Sequence, residues 1–162
     1  MIKYVNTMVT FSEVPDEISL CIEISNCPCH CVGCHSSYLA KDIGEELNID
    51  SLHKLISSNK GITCVCLMGG DSNPEYINIL GKTIKKHHLK SVWYSGRQEL
   101  SKDINLKNFD YIKLGPYIEE LGPLNSKTTN QRFYEVVQIY YEDGTFGYEL
   151  IDITYKFHRN ED

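Results

Sequence analysis

The 162-residue sequence predicts an α/β fold with a mainly parallel sheet and a C-terminal β-hairpin. Three observations lead there. Between residues 18 and 114, apolar runs of strand period alternate with stretches of helix period. Three of those strands run into loops that carry glycine or cysteine, as at the ligand-binding edge of open α/β sheets. Near the end, Asp143-Gly144 separates two runs rich in Tyr, Val and Ile, which predicts a hairpin over about 133–157.

In chain order, Tyr4 to Phe11 reads as a short strand, followed by a turn at Val14-Pro15-Asp16. Ile18, Leu20, Ile22 and Ile24 alternate with other residues and predict a strand that ends in the segment Cys27-Pro28-Cys29-His30-Cys31-Val32-Gly33-Cys34-His35. Ser36 to Gly44 reads as a short helix and a turn. Leu52, Leu55 and Ile56 form a helical stripe with Asp50 as N-cap, closed by Asn59-Lys60-Gly61. Thr63 to Met68 reads as a buried parallel strand ending in Gly69-Gly70-Asp71. Asn73 and Pro74 start a second helix, whose apolar face is Ile77, Leu80 and Ile84. Ser91 to Ser95 is a third strand, closed by Gly96 and followed by a short helix. Tyr111 to Leu114 is a fourth, closed by Gly115-Pro116. Residues 115–132 form a long polar loop, and His158 to Asp162 a loose tail.

Composition narrows the function. The chain is 41% hydrophobic and 23% charged, as an ordinary globular domain is, and one domain is expected over residues 1–162. The net charge of -6 speaks against a general nucleic-acid binder. No apolar run approaches the ~18 residues of a membrane span. Residues 1–7 carry no apolar signal core, so a cytoplasmic location without membrane association is expected. Seven cysteines, four of them within eight residues, suggest metal or redox chemistry and not a disulfide framework.

Cys27, Cys31 and Cys34 have the spacing C-x3-C-x2-C. That spacing suits a loop around one corner of an iron–sulfur cluster, where three thiolates hold three irons and one iron stays open. Structural zinc is the alternative, with Cys64 and Cys66 as the second pair. Cys29 is a bystander in the first arrangement. Cys21, Cys64 and Cys66 lie in apolar strands and read as core. His87 and His88 end a helix and read as structural. His30 and His35 flank the thiols, and the tyrosines are assigned to core and sheet surface. The Asp71 carboxylate, after two glycines, can pair with an ammonium group.

The cysteine spacing after one strand and Gly69-Gly70-Asp71 after the next resemble the radical S-adenosylmethionine superfamily. More narrowly, the chain resembles the activating enzymes of anaerobic (class III) ribonucleoside-triphosphate reductase. Phe11-Ser12-Glu13-Val14-Pro15-Asp16-Glu17, Cys31-Val32-Gly33-Cys34-His35-Ser36 and Thr129-Asn130-Gln131-Arg132 carry the closer likeness. The likeness implies a compact partial (β/α) barrel and an oxidoreductase activity. Cys27, Cys31 and Cys34 would hold a [4Fe-4S] cluster, whose open iron chelates S-adenosyl-L-methionine. Reductive cleavage would give a 5′-deoxyadenosyl radical that leaves a glycyl radical on the reductase. Gly69, Gly70 and Asp71 would contact the methionyl amino end, with Ser95, Gly96 and Asn130 to Arg132 at the same face, Ser95 and Asn130 among the cofactor-binding residues. The implied partners are the glycyl-radical subunit of the reductase and a flavodoxin- or ferredoxin-type electron donor. Two positions depart from the superfamily: Val32 stands where an aromatic residue is usual, and Asp71 replaces a glutamate. The alternatives are an activase of another glycyl-radical enzyme, and a non-enzymatic iron–sulfur or zinc module.

Overall fold

The computed structural model describes residues 1–34 and 36–158. His35 and residues 159–162 of the expected tail lie outside the described residues. One open sheet takes strands from the whole length of the chain. Its strands are β1 (Lys3–Thr10), β2 (Ser19–Ile24), β3 (Glu45–Glu46), β4 (Cys64–Met68), β5 (Lys90–Tyr94), β6 (Tyr111–Leu114), β7 (Arg132–Tyr140) and β8 (Phe146–Asp152). Their order across the sheet is β3-β1-β2-β4-β5-β6-β7-β8.

The mixed α/β class holds, but the sheet is not mainly parallel. Three pairings are parallel (β2–β4, β4–β5 and β5–β6) and four are antiparallel. The parallel strands form the middle, because helices or long crossovers connect them. β1 returns against β2 through the tight turn at Glu17, whose N–H donates to Val14 O. The hairpin β7–β8 adds to β6 on the other side. Its second strand is shorter than expected, since Thr154–His158 form a 3-10 turn. Strand β3 has only two residues, too few for a periodic signal.

Two helices pack on one face. Helix α1 (Ile49–Ser58) is capped by Asn48 and not by Asp50, which lies in the first turn. The Asn48 side chain accepts the Ser51 N–H at 2.8 Å, and the Ser51 hydroxyl oxygen accepts the Asn48 N–H at 2.8 Å. This reciprocal pair satisfies two otherwise orphaned donors. Helix α2 (Pro74–Lys86) starts as expected, with Asn73 accepting the Tyr76 N–H at 3.2 Å. The expected short helices after the cysteine segment and after Gly96 are 3-10 turns, at Ser37–Ala40 and Leu106–Asn108.

Strand alternation divides the core. Leu20, Ile22, Val65, Leu67, Trp93 and Ile112 face α1 and α2, and they pack with Leu52, Ile56, Ile77, Leu80 and Ile84. Cys21, Cys64, Cys66, Val92 and Tyr94 face the opposite way and pack with Val14, Leu124, Phe133 and Ile153. Among the described residues, no α-helix covers the second face. It is closed by the segment before β2, by the polar loop and by the C-terminal 3-10 turn. Cys21, Cys64 and Cys66 are therefore core residues, as expected, and burial pushes the Cys64 thiol up to about 12. Among the described residues, no helix is long and apolar enough to cross a membrane.

Candidate functional site

Parallel β2, β4, β5 and β6 end on one edge of the sheet, and antiparallel β7 begins there. That edge gathers five segments: the cysteine segment after β2, Gly69-Gly70-Asp71 after β4, Ser95-Gly96 after β5, Gly115 after β6, and Asn130-Gln131 before β7.

The thiols divide into two roles. Cys27, Cys31 and Cys34 line one hollow of about 180 Å³ together with His30 and Ser36. Cys29 turns the other way and donates its S–H to Asp71 Oδ2 at 3.7 Å. Cys29 also bonds Cys27, which holds the Cys27 thiol below the usual cysteine value and its own thiol above it, with burial and Asp71 adding to the rise at Cys29. Cys29 is thus no bystander in the geometry, although it stands apart from the three-thiol hollow.

Asp71 is buried and holds two further donors besides Cys29. Its Oδ1 accepts the Ser95 hydroxyl at 2.5 Å, and its Oδ2 accepts the Gly96 N–H at 2.9 Å. An ionised carboxylate offers about four lone-pair sites, so one more donor can still join these three. Gly96 is fitted to this arrangement, since a Cβ there would lie 2.8 Å from Cys29 Sγ.

The two glycines before Asp71 serve packing. Gly70 has φ +87, and a Cβ would lie 2.4 Å from Ile77 Cδ1. Beside Gly69 the space is taken by Ile24, whose carbonyl oxygen would lie 3.0 Å from a Cβ. The backbone groups at this turn are also used, as Trp93 Nε1–H donates to Gly69 O at 2.7 Å.

Sequence reasoning missed Lys113. This side chain is buried, and its ammonium donates to Ser95 O at 3.1 Å and to Gly115 O at 2.8 Å. Burial pushes Lys113 below the usual lysine value, while Asp71 and the thiols of Cys31, Cys29 and Cys34 pull it back up. The available signal was a lysine inside the otherwise apolar run Tyr111-Ile112-Lys113-Leu114. Beyond it, Gly115 O also accepts from Gln131 Nε2 at 3.5 Å. Asn130 Nδ2 donates to Pro116 O at 3.1 Å, while its Oδ1 is buried and has no hydrogen-bond partner among the described residues. An orphaned buried acceptor at a loop edge is suited to a ligand's donor. A separate cavity of about 430 Å³ opens on the helix-free face, between Glu13, Met68, Tyr94, Lys113 and Gln131.

Compared with protein-family models, curated proteins and solved structures, the chain has no match.

The donor set itself tests the expected cofactor. Among the described residues, no three of His, Cys, Asp and Glu come together as ligands of one metal ion. Cys64 and Cys66, the second pair of the zinc alternative, are sealed in the core with Val92 and Phe133. Three thiols around one hollow, with the fourth turned to a carboxylate, suit a cluster in which each thiolate takes a different iron. The remaining capacity of Asp71 suits the ammonium group of an amino-acid ligand, and the orphaned Asn130 Oδ1 is a further acceptor at the same edge of the sheet.

Proposed function

We propose that this chain is a radical S-adenosylmethionine activase that installs the glycyl radical of an anaerobic ribonucleoside-triphosphate reductase. One observation carries the reading. The three-thiol hollow and the Asp71 carboxylate lie at the same edge of the parallel strands, linked through Cys29. In this reading β2, β4, β5 and β6, with their crossovers, make up a partial barrel, which β1 and the hairpin extend.

Cys27, Cys31 and Cys34 would hold a four-iron, four-sulfur cluster. When bound, the cluster supplies the electron that cleaves S-adenosylmethionine reductively. The chain's own residues do the rest. Asp71, oriented by Ser95 and Gly96, accepts the methionyl ammonium. Lys113, whose charge Asp71 and the thiols of Cys31, Cys29 and Cys34 favour, would offset the charge of the thiolates in a setting where burial strengthens the interaction. Asn130 Oδ1 accepts a further donor from the ligand. The cavity beside Lys113 and Met68 gives room for an extended segment carrying the target glycine. A non-enzymatic carrier would cap every iron with protein. Cys21, Cys64 and Cys66 lie buried in the core, which favours an uncapped iron, and Cys29, turned to Asp71, is the thiol a carrier would need as its fourth ligand.

The test is anaerobic reconstitution with iron and sulfide, reduction, and addition of S-adenosylmethionine. The expected product is 5′-deoxyadenosine, and its absence from fully loaded protein overturns the reading. Adding a class III reductase should then give a glycyl-radical signal in electron paramagnetic resonance. Cleavage without that signal would redirect the assignment to another glycyl-radical enzyme.

A further inference from the structure

At the opposite edge of the sheet, where the parallel strands begin, two histidines from different helices meet. His53 lies on α1, and His87 follows the last residue of α2. His53 Nδ1 and His87 Nε2 are 2.6 Å apart, with ring centroids 4.8 Å apart and the planes tilted by 55°. His53 is exposed and His87 half-buried, so the pair is open to solvent on one side. Two ring nitrogens this close need a proton or a cation between them, because two facing lone pairs repel.

We propose that His53 and His87 form a binding site for a divalent first-row transition metal ion that clasps α1 to α2. Neutral imidazole is a ligand for zinc, copper, nickel and iron. Zinc–nitrogen distances of 2.0–2.1 Å at a tetrahedral angle put the two nitrogens about 3.3 Å apart. The pair therefore needs to open by about 0.7 Å to admit the ion, which side-chain rotation at a solvent-facing site allows. Burial, His53 and His88 hold the His87 imidazole below the usual histidine value, which keeps its lone pair available near neutral pH. Among the described residues, no third His, Cys, Asp or Glu completes a ligand set, so water fills the other positions. This site does not involve the cysteine segment and stands whether or not the proposed activity holds.

The test uses the full chain with Zn²⁺ as the probe. Histidine ring resonances are followed by nuclear magnetic resonance, so that metal taken up by the thiols is not mistaken for this site. The rings of His53 and His87 should shift together and saturate in parallel. In His53→Gln, the His87 response should weaken by about tenfold or more, since one of two protein ligands is gone. Gln is a good helix former and His53 is exposed, so this variant keeps its fold. His87→Gln should weaken the His53 response in the same way. The proposal is overturned if neither ring responds, or if the His87 titration is unchanged in His53→Gln. Either result leaves the pair a simple hydrogen bond between helices.

Discussion

The Asp71 carboxylate is held by Ser95, whose hydroxyl donates to Oδ1 at 2.5 Å, and this bond fixes the end of β4 to the end of β5. The Gly96 N–H holds the other oxygen at 2.9 Å, so the carboxylate cannot rotate away. Asp71→Asn keeps the shape but puts an amide N–H against one of these donors. On the proposed function, S-adenosylmethionine affinity should fall by about 10–100-fold, in the range of a charge-assisted hydrogen bond. Ser95→Ala should cost less, because Gly96 remains. Equilibrium binding to the cluster-loaded protein checks both, and unchanged affinity in Asp71→Asn would remove this residue from the site.

Gly96 and Cys29 should behave as a coupled pair. A methyl group at residue 96 would meet Cys29 Sγ at 2.8 Å and its Cβ at 3.2 Å, so Gly96→Ala forces the cysteine segment outward. Iron incorporation should fall in Gly96→Ala and recover largely in Gly96→Ala/Cys29→Ala, where the closer contact is gone. Cys29→Ala alone should keep its iron, whereas Cys27→Ala, Cys31→Ala and Cys34→Ala should each lose it. Iron content per chain after reconstitution reads all six. Loss of iron in Cys29→Ala would make Cys29 a ligand.

Lys113→Met should separate folding from function. The methionine fills similar volume but leaves Ser95 O and Gly115 O without this donor. Gly115 O keeps Gln131 as a donor, but a buried acceptor left unpaired costs about 1–3 kcal/mol, so the thermal midpoint should fall. If Lys113 also faces the bound carboxylate, S-adenosylmethionine affinity should fall at temperatures well below that midpoint. A variant that loses stability but binds normally would make Lys113 a structural tie between β5 and β6.

The middle of the chain was legible in the sequence because local signals there agree with the fold. Asn73-Pro74 starts α2 as expected, and the alternation of Ile18 to Ile24 matches β2, whose odd and even residues face two separate cores. Sheet direction was less legible. Strand period tells which face a residue takes, but not whether the neighbour runs parallel, and β1 and β7–β8 made four of the seven pairings antiparallel. Asp50 was the wrong N-cap because the reciprocal bond needs Ser51 at the third helical position, which selects Asn48. At the candidate site, spacing separated three cysteines from Cys29, and the fold sets the three around one hollow. Lys113 went unseen because a lone lysine in a short strand says nothing of the carbonyls it meets from two other loops. The His53–His87 contact bridges helices and has no local signature at all.

Glu13 gives a pH-dependent test of the helix-free face. Its carboxyl lines the cavity with Met68, Tyr94 and Lys113, while its backbone carbonyl accepts the Tyr94 hydroxyl. Burial, with repulsion from Glu23, holds the carboxyl above its ordinary value of 4.5. The folded state therefore binds more protons than the unfolded state between the ordinary and the raised value. Stability falls as pH rises through that window, and the penalty is complete above it. Glu13→Gln removes the charge but keeps the backbone carbonyl that Tyr94 uses. Partial exposure screens the effect, so the thermal midpoint at pH 7 should rise by only roughly 1–3 °C. The gap between variant and wild type should close as pH drops below 4.5, where the wild-type carboxyl is protonated in both states. Thermal melts from pH 4 to pH 8 check this. A variant less stable at pH 7 would mean that the Glu13 carboxylate has a favourable partner on this face, with Lys113 the cationic residue that shares the cavity wall.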